Sequence, residues 1–137
     1  MSHWFRSPTS DVFFGNFANS SLGSGQTRFV GAGGVGFSST ESEVEFIMTR
    51  AGVIKFLTEK AEVNTRVNAT TVTLRKNGVD TLLALTIPAS PGGTVLVQNT
   101  TDVVNVVAGD RIAVKFVAPV GGGSLSDCRC SFEFQSR

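Results

Sequence analysis

The chain has no tyrosine, one histidine, one tryptophan and two cysteines among 137 residues, and only 17% of those residues are charged. Each shortage removes a class of chemistry. With His3 as the sole imidazole, a Ser–His–acid triad would have to recruit it from the leader, far from any nucleophile signature. Cys128 and Cys130 cannot build a disulfide framework, which fits a chain made in a reducing cytoplasm. Nor can two thiols and one distant imidazole supply the four ligands of a structural zinc. Twelve basic residues against eleven acidic ones give a net charge of +1, with no Lys/Arg cluster. That excludes the electrostatic footprint of a nucleic-acid binder and a polybasic membrane segment. No apolar run approaches the roughly 18 residues of a membrane span. Asp11 and polar neighbours interrupt what would be the apolar region of a signal peptide. The expectation is a non-enzymatic protein without cofactor or metal, binding neither nucleic acid nor membrane.

What the chain does have is β grammar. Thr70 to Ile87 reads TTVTLRKNGVDTLLALTI, and Asn77-Gly78 is the strongest short-range signal for a two-residue hairpin turn. That turn predicts the pairs Lys76–Val79, Arg75–Asp80, Leu74–Thr81 and Val72–Leu83. Val72, Leu74, Leu83 and Leu85 then share one face, and Arg75 opposes Asp80 on the other. Further strands are expected at 28–30, 43–48, 52–63, 94–98, 102–107 and 111–117, with turn signals between them. For 52–63 the pattern is less clean and a helix over FLTEKAEV competes. The last strand alternates most clearly, with Cys128, Cys130, Phe132 and Phe134 on one face.

Residues 1–25 differ. They hold Trp4, Phe5, Phe13, Phe14 and Phe17, five of the twelve aromatics, without helical or strand period. Two domains of behaviour follow: an irregular aromatic arm (1–25) that lies on its own fold or docks onto a neighbour, and a β domain (26–137). Low charge with a positive mean hydropathy suggests that some of the surface is covered by a partner.

Other motifs carry bland readings. Gly31 to Gly36 matches the letters G-x-G-x-x-G, but no helix start follows it, so it reads as a glycine-rich β connection. Glu41, Glu43 and Glu45 read as a solvated strand face rather than a hydrolytic carboxylate pair. The Asn-x-Thr/Ser matches at Asn19, Asn68 and Asn99 read as chance in a chain rich in small polar residues. Cys128 and Cys130 read as core residues beside Phe132 and Phe134.

The stretches 69–81, 86–89 and 103–112, the last reading VVNVVAGDRI, together resemble the jelly-roll heads of the C1q/TNF-like group, in particular those of phage virion proteins and bacterial surface fibres. The resemblance spans roughly residues 45–134. It implies a two-sheet jelly-roll β-sandwich that assembles as a homotrimer, with the terminal strand in the buried sheet. The chain shows no collagen-like or coiled-coil stalk, and no calcium site of that group maps onto it. A short head with an aromatic arm resembles a capsid-decorating protein more than a fibre tip. The resulting expectation is a virion protein of a tailed phage, made in the host cytoplasm. It would dock on the major capsid protein or another virion protein through the arm aromatics. The alternative is a receptor- or glycan-binding head using loops 88–94 and 119–127.

Overall fold

The computed structural model describes residues 10–16, 21–32, 36–90 and 96–137. Eleven strands occur among them: β1 (Ser10–Asn16), β2 (Ser21–Leu22), β3 (Thr27–Val30), β4 (Phe46–Ile47), β5 (Gly52–Asn64), β6 (Thr70–Lys76), β7 (Val79–Ile87), β8 (Leu96–Gln98), β9 (Val103–Val106), β10 (Arg111–Val117) and β11 (Leu125–Ser136). They form two antiparallel sheets. One runs β1-β11-β5-β8, with β2 added to β11 and β9 to β5; the other runs β3-β10-β6-β7, with β4 added to β10. The protein is an all-β sandwich, as the alternation predicts. Its core is the layer between the sheets, where Ile54, Leu57, Phe132 and Phe134 meet Val72, Leu74, Ile112 and Phe116.

The hairpin forms with Asn77 and Gly78 both at positive φ, 54° and 77°, as its turn requires. Lys76–Val79 and Arg75–Asp80 pair as expected. Beyond them the register departs from the simple reading, because Val72 lies opposite Leu85 rather than Leu83. Thr81, Leu82 and Leu83 together face Leu74. The Thr81 hydroxyl donates to the Leu74 carbonyl (2.8 Å) and accepts the Leu83 N–H (3.2 Å), standing in for the missing ladder bonds. A slip of two residues keeps every side chain on its face. Val72, Leu74, Leu83 and Leu85 are therefore still buried together.

A one-residue bulge has the opposite effect in β5. Ser131 pairs with Thr58 but Glu133 with Lys55, so Phe56 and Leu57 share one partner position. Phe56 takes the left-handed conformation, φ 57°. The inward positions change phase there, from Ile54 to Leu57, Glu59 and Ala61. That switch is why the strand looks irregular in sequence, and the competing helix is absent.

Two expectations are corrected. The leader is not wholly irregular: β1 pairs along β11 from Ser10–Gln135 to Asn16–Arg129, and β2 pairs with the start of β11. The strand expected at 43–48 shrinks to Phe46–Ile47, preceded by a 3-10 turn over Glu41–Glu43. Side-chain bonds compete with the ladder there. The Ser38 hydroxyl accepts the Thr40 N–H (3.0 Å) and donates to Glu43 Oε1 (2.8 Å).

Candidate functional site

Three places could carry function, and they lie at different parts of the sandwich. The first is an open groove of about 510 Å³ where the edges of the two sheets, β7 and β9, come together. Val79, Leu82 and Val103 give it an apolar lining, and Lys76, Asp80 and Asn105 give it a polar one. The three apolar side chains are more than half exposed, Leu82 at 82%. Alternation along β7 presents Leu82: it is turned outward while Leu83 goes to the core.

The charges beside this groove are engaged. Asp80 accepts from Arg75 (2.8 Å) and Lys115 (2.7 Å), and Arg75 also grips both oxygens of Glu41 (2.9 and 3.0 Å). These donors hold the Asp80 carboxyl below its ordinary range, Lys115 most of all. The Glu41 carboxylate expected on a solvated face is therefore tied across the sheet. Glu45 likewise meets Arg111 at 3.4 Å. Asp110 is pinned in the neighbouring turn. It accepts the Asn77 amide (3.0 Å) and the Val107 N–H (2.9 Å), and both lower its pKa. Asn77 Oδ1 in turn accepts the Arg111 N–H (2.8 Å). The Asn-Gly and Gly-Asp turns are thus locked to each other, and Asp110 acts there as a structural pin.

The second place is the loop end formed by residues 64–69, 88–90 and 119–124. Arg66 is completely buried at its centre. Its guanidinium donates to the carbonyls of Pro119, Gly121 (2.9 Å), Gly122 (3.3 Å) and Gly123 (3.1 Å). Asn64 accepts the Arg66 N–H (3.0 Å) and donates to the Pro88 carbonyl (3.1 Å). Asn68 donates to the Val120 carbonyl (2.8 Å). Val67 and Val120 are the exposed apolar residues of this end. The amides of Asn68 and Asn99 are used in loop bonds, Asn99 to Ala84 and Asp102.

The third place is inside. Glu59 is fully buried on the inner face of β5, directly across from Cys130 on β11 and Val97 on β8. Neither carboxyl oxygen has a nitrogen or oxygen donor among the described residues. Its polar neighbour is the Cys128 thiol, a weak donor. Burial pushes the Glu59 carboxyl up to about 9 and both thiols well above their ordinary value, the nearby Glu59 adding to the thiol shifts. The thiols are therefore protonated and inert at neutral pH. Cys128, Cys130, Phe132 and Phe134 are all buried on one face, as expected. No His, Cys, Asp or Glu cluster suited to a metal ion occurs among the described residues.

Of the arm aromatics, Trp4, Phe5 and Phe17 lie outside the described residues, as does His3. Phe13 and Phe14 fall within β1, in register with Phe132 and Ser131. Part of the glycine-rich stretch, Gly33 to Val35, is also outside them. Sequence reasoning missed Glu59 and Arg66. Glu59 would have stood out as an acid in an apolar row only if the phase switch at Phe56 had been allowed for. Arg66 carries no local signal, because its partners are carbonyls more than fifty residues away.

No protein-family model matches the chain, and no curated protein is significantly similar to it.

Proposed function

We propose that this chain is a non-enzymatic structural module: a homotrimeric jelly-roll that decorates or cements the capsid of a tailed phage. The observation that carries the reading is the exposed apolar edge at Val79, Leu82 and Val103, three side chains gathered in one groove where two sheet edges meet. Exposed apolar surface of this kind marks an interaction site. The strand order supports the jelly-roll. With β8 and β9 taken as one interrupted strand and β2 and β4 as extensions, each sheet interleaves strands from the two halves of the chain. The arm aromatics supply the residue types that dominate docking interfaces. The virion surface and the threefold rest on the family resemblance.

Light scattering tests the assembly. The expected mass is three times 14.5 kDa over a range of concentrations, and Leu82→Asp is expected to reduce it to the monomer. A monodisperse wild-type monomer would remove the trimer. Capsid docking is tested by deleting residues 2–9, a cut that spares β1; removing the arm through residue 18 would strip a strand from β11. The truncated protein should remain a folded trimer and lose at least tenfold in capsid affinity. Undiminished saturation of capsids would dismiss the arm as the anchor.

A second reading, a receptor- or glycan-binding head, is favoured by the loop end around Arg66, a fixed platform carrying exposed Val67 and Val120. A glycan array separates the two, because a cement protein should bind none of its members.

A further inference from the structure

The buried carboxyl of Glu59 has no role in the proposed assembly, yet it is the most deeply buried acid among the described residues. It is fully covered, faces Ala61, Cys128 and Cys130 along the inner surface of its own sheet, and has no N–H or O–H donor among the described residues. β7, the strand of the opposite sheet that packs against β5, contributes buried Leu83, Leu85 and Ile87. β9 contributes Val104 and Val106, and β8 contributes Val97. The titratable groups near it are therefore Cys128 and Cys130, with Asp127 acting on Cys128. Lys60, its neighbour in sequence, is exposed and 4.0 Å from Glu62. No cation stands ready to receive a charged Glu59 among these groups. Ionised, the group must reach water or break the packing.

The two strands that flank Glu59 are unequally held. Glu59 lies directly opposite Val97, the middle residue of β8, and β8 is a three-residue strand at the margin of its sheet. On the other side stands β11, twelve residues long and paired on both flanks.

We propose that Glu59 is a proton-held latch: the sandwich closes on its neutral carboxyl, and loss of that proton releases β8 from β5 and opens this side of the core. The sign follows from the raised pKa. Stability linked to Glu59 is complete below the unfolded value of 4.5 and falls as pH rises toward about 9. Over that window one proton separates the two states, so the unfolding constant grows by at most about tenfold per pH unit. The latch stays shut through neutral pH and gives way in alkali. A protein that must hold in one compartment and loosen in another could use it without any second site.

The test compares the full wild-type chain with Glu59→Gln and Glu59→Leu by urea denaturation at pH 5, 7 and 9, with hydrogen exchange at β8. The wild-type midpoint should fall steadily across that range, and the neutral variants should show little or no fall. Protection of the Leu96–Gln98 amides, corrected for the intrinsic exchange rate, should drop more than tenfold from pH 6 to 9 in the wild type only. Parallel pH dependence in wild type and variants would overturn the proposal. If neither variant folds, the wild-type exchange decides alone: unchanged β8 protection at pH 9 overturns the latch, and selective loss at β8 supports it. Both readouts can be taken on monomer or trimer, so they stand apart from the outcome of the assembly experiment.

Discussion

Arg66→Ala should cost the fold about 3–4 kcal/mol, the larger of the two strongest effects expected in this molecule. The guanidinium serves four carbonyls at once, of Pro119, Gly121, Gly122 and Gly123. Hydrogen bonds from a charged donor are worth about 1.5–3 kcal/mol each, and buried acceptors left empty add their own penalty. The total is held below the simple sum because the freed loop can turn part of its backbone to water. Lysine should recover less than half, because a single ammonium cannot reproduce a planar fork spread over four acceptors. Urea midpoints for Ala, Lys and Met variants check this, Met preserving most of the packed volume. A loss under about 1 kcal/mol for alanine would mean that the loops hold without the arginine. Proteolysis should show the same event locally, as new cleavage within residues 119–124 of the alanine variant under native conditions.

Gly31→Ala should destabilise by about 3 kcal/mol, for a different reason. A Cβ at Gly31 would overlap the carbonyl oxygen of Val44, so backbone on one side or the other must move. Overpacking of this kind typically costs about 1–3 kcal/mol, and more where the obstacle is main chain. The shift would fall where the β3 chain passes the turn leading into β4, near the Phe29–Ser38 bridge. Gly36→Ala serves as the comparison within the same glycine-rich stretch. Thermal melts of the two variants give the test. A Gly31→Ala protein melting within about 2 °C of wild type would show that Val44 gives way easily. The six-residue nucleotide-like motif thus has at least one glycine explained by close packing.

The parts of the fold that were legible in the sequence are those where one strand obeys one period. β10 and β11 alternate cleanly, with Ile112, Val114 and Phe116 and then Cys128 to Phe134 buried. Asn77-Gly78 announces its own turn. The departures occur where tertiary partners override that period. At Phe56 a single extra residue reverses the faces of β5, and at Thr81–Leu83 two extra residues move the register without reversing anything. β1 carries aromatics on successive residues, Phe13 and Phe14, so alternation could not reveal a strand that exists by pairing with β11. The candidate places were legible to different degrees. Val79, Leu82 and Val103 read as ordinary strand residues until the meeting of two edges placed them together. Glu59 and Arg66 are defined almost entirely by long-range neighbours.

One feature of the topology bears on how the chain is made. β11 pairs with β1, β2 and β5, all of which precede it in sequence. On a ribosome those three must wait without their shared partner until residue 136 has emerged. The sheet built from β3, β10, β6 and β7 has its own hairpin to start from, so it can begin earlier. Until β11 has emerged, the inner face of β5 and the uncovered strand edges beside it are open to other nascent chains. Slow release or polysome crowding should therefore favour misassembly between neighbouring copies, and β11 is the segment whose arrival ends that exposure.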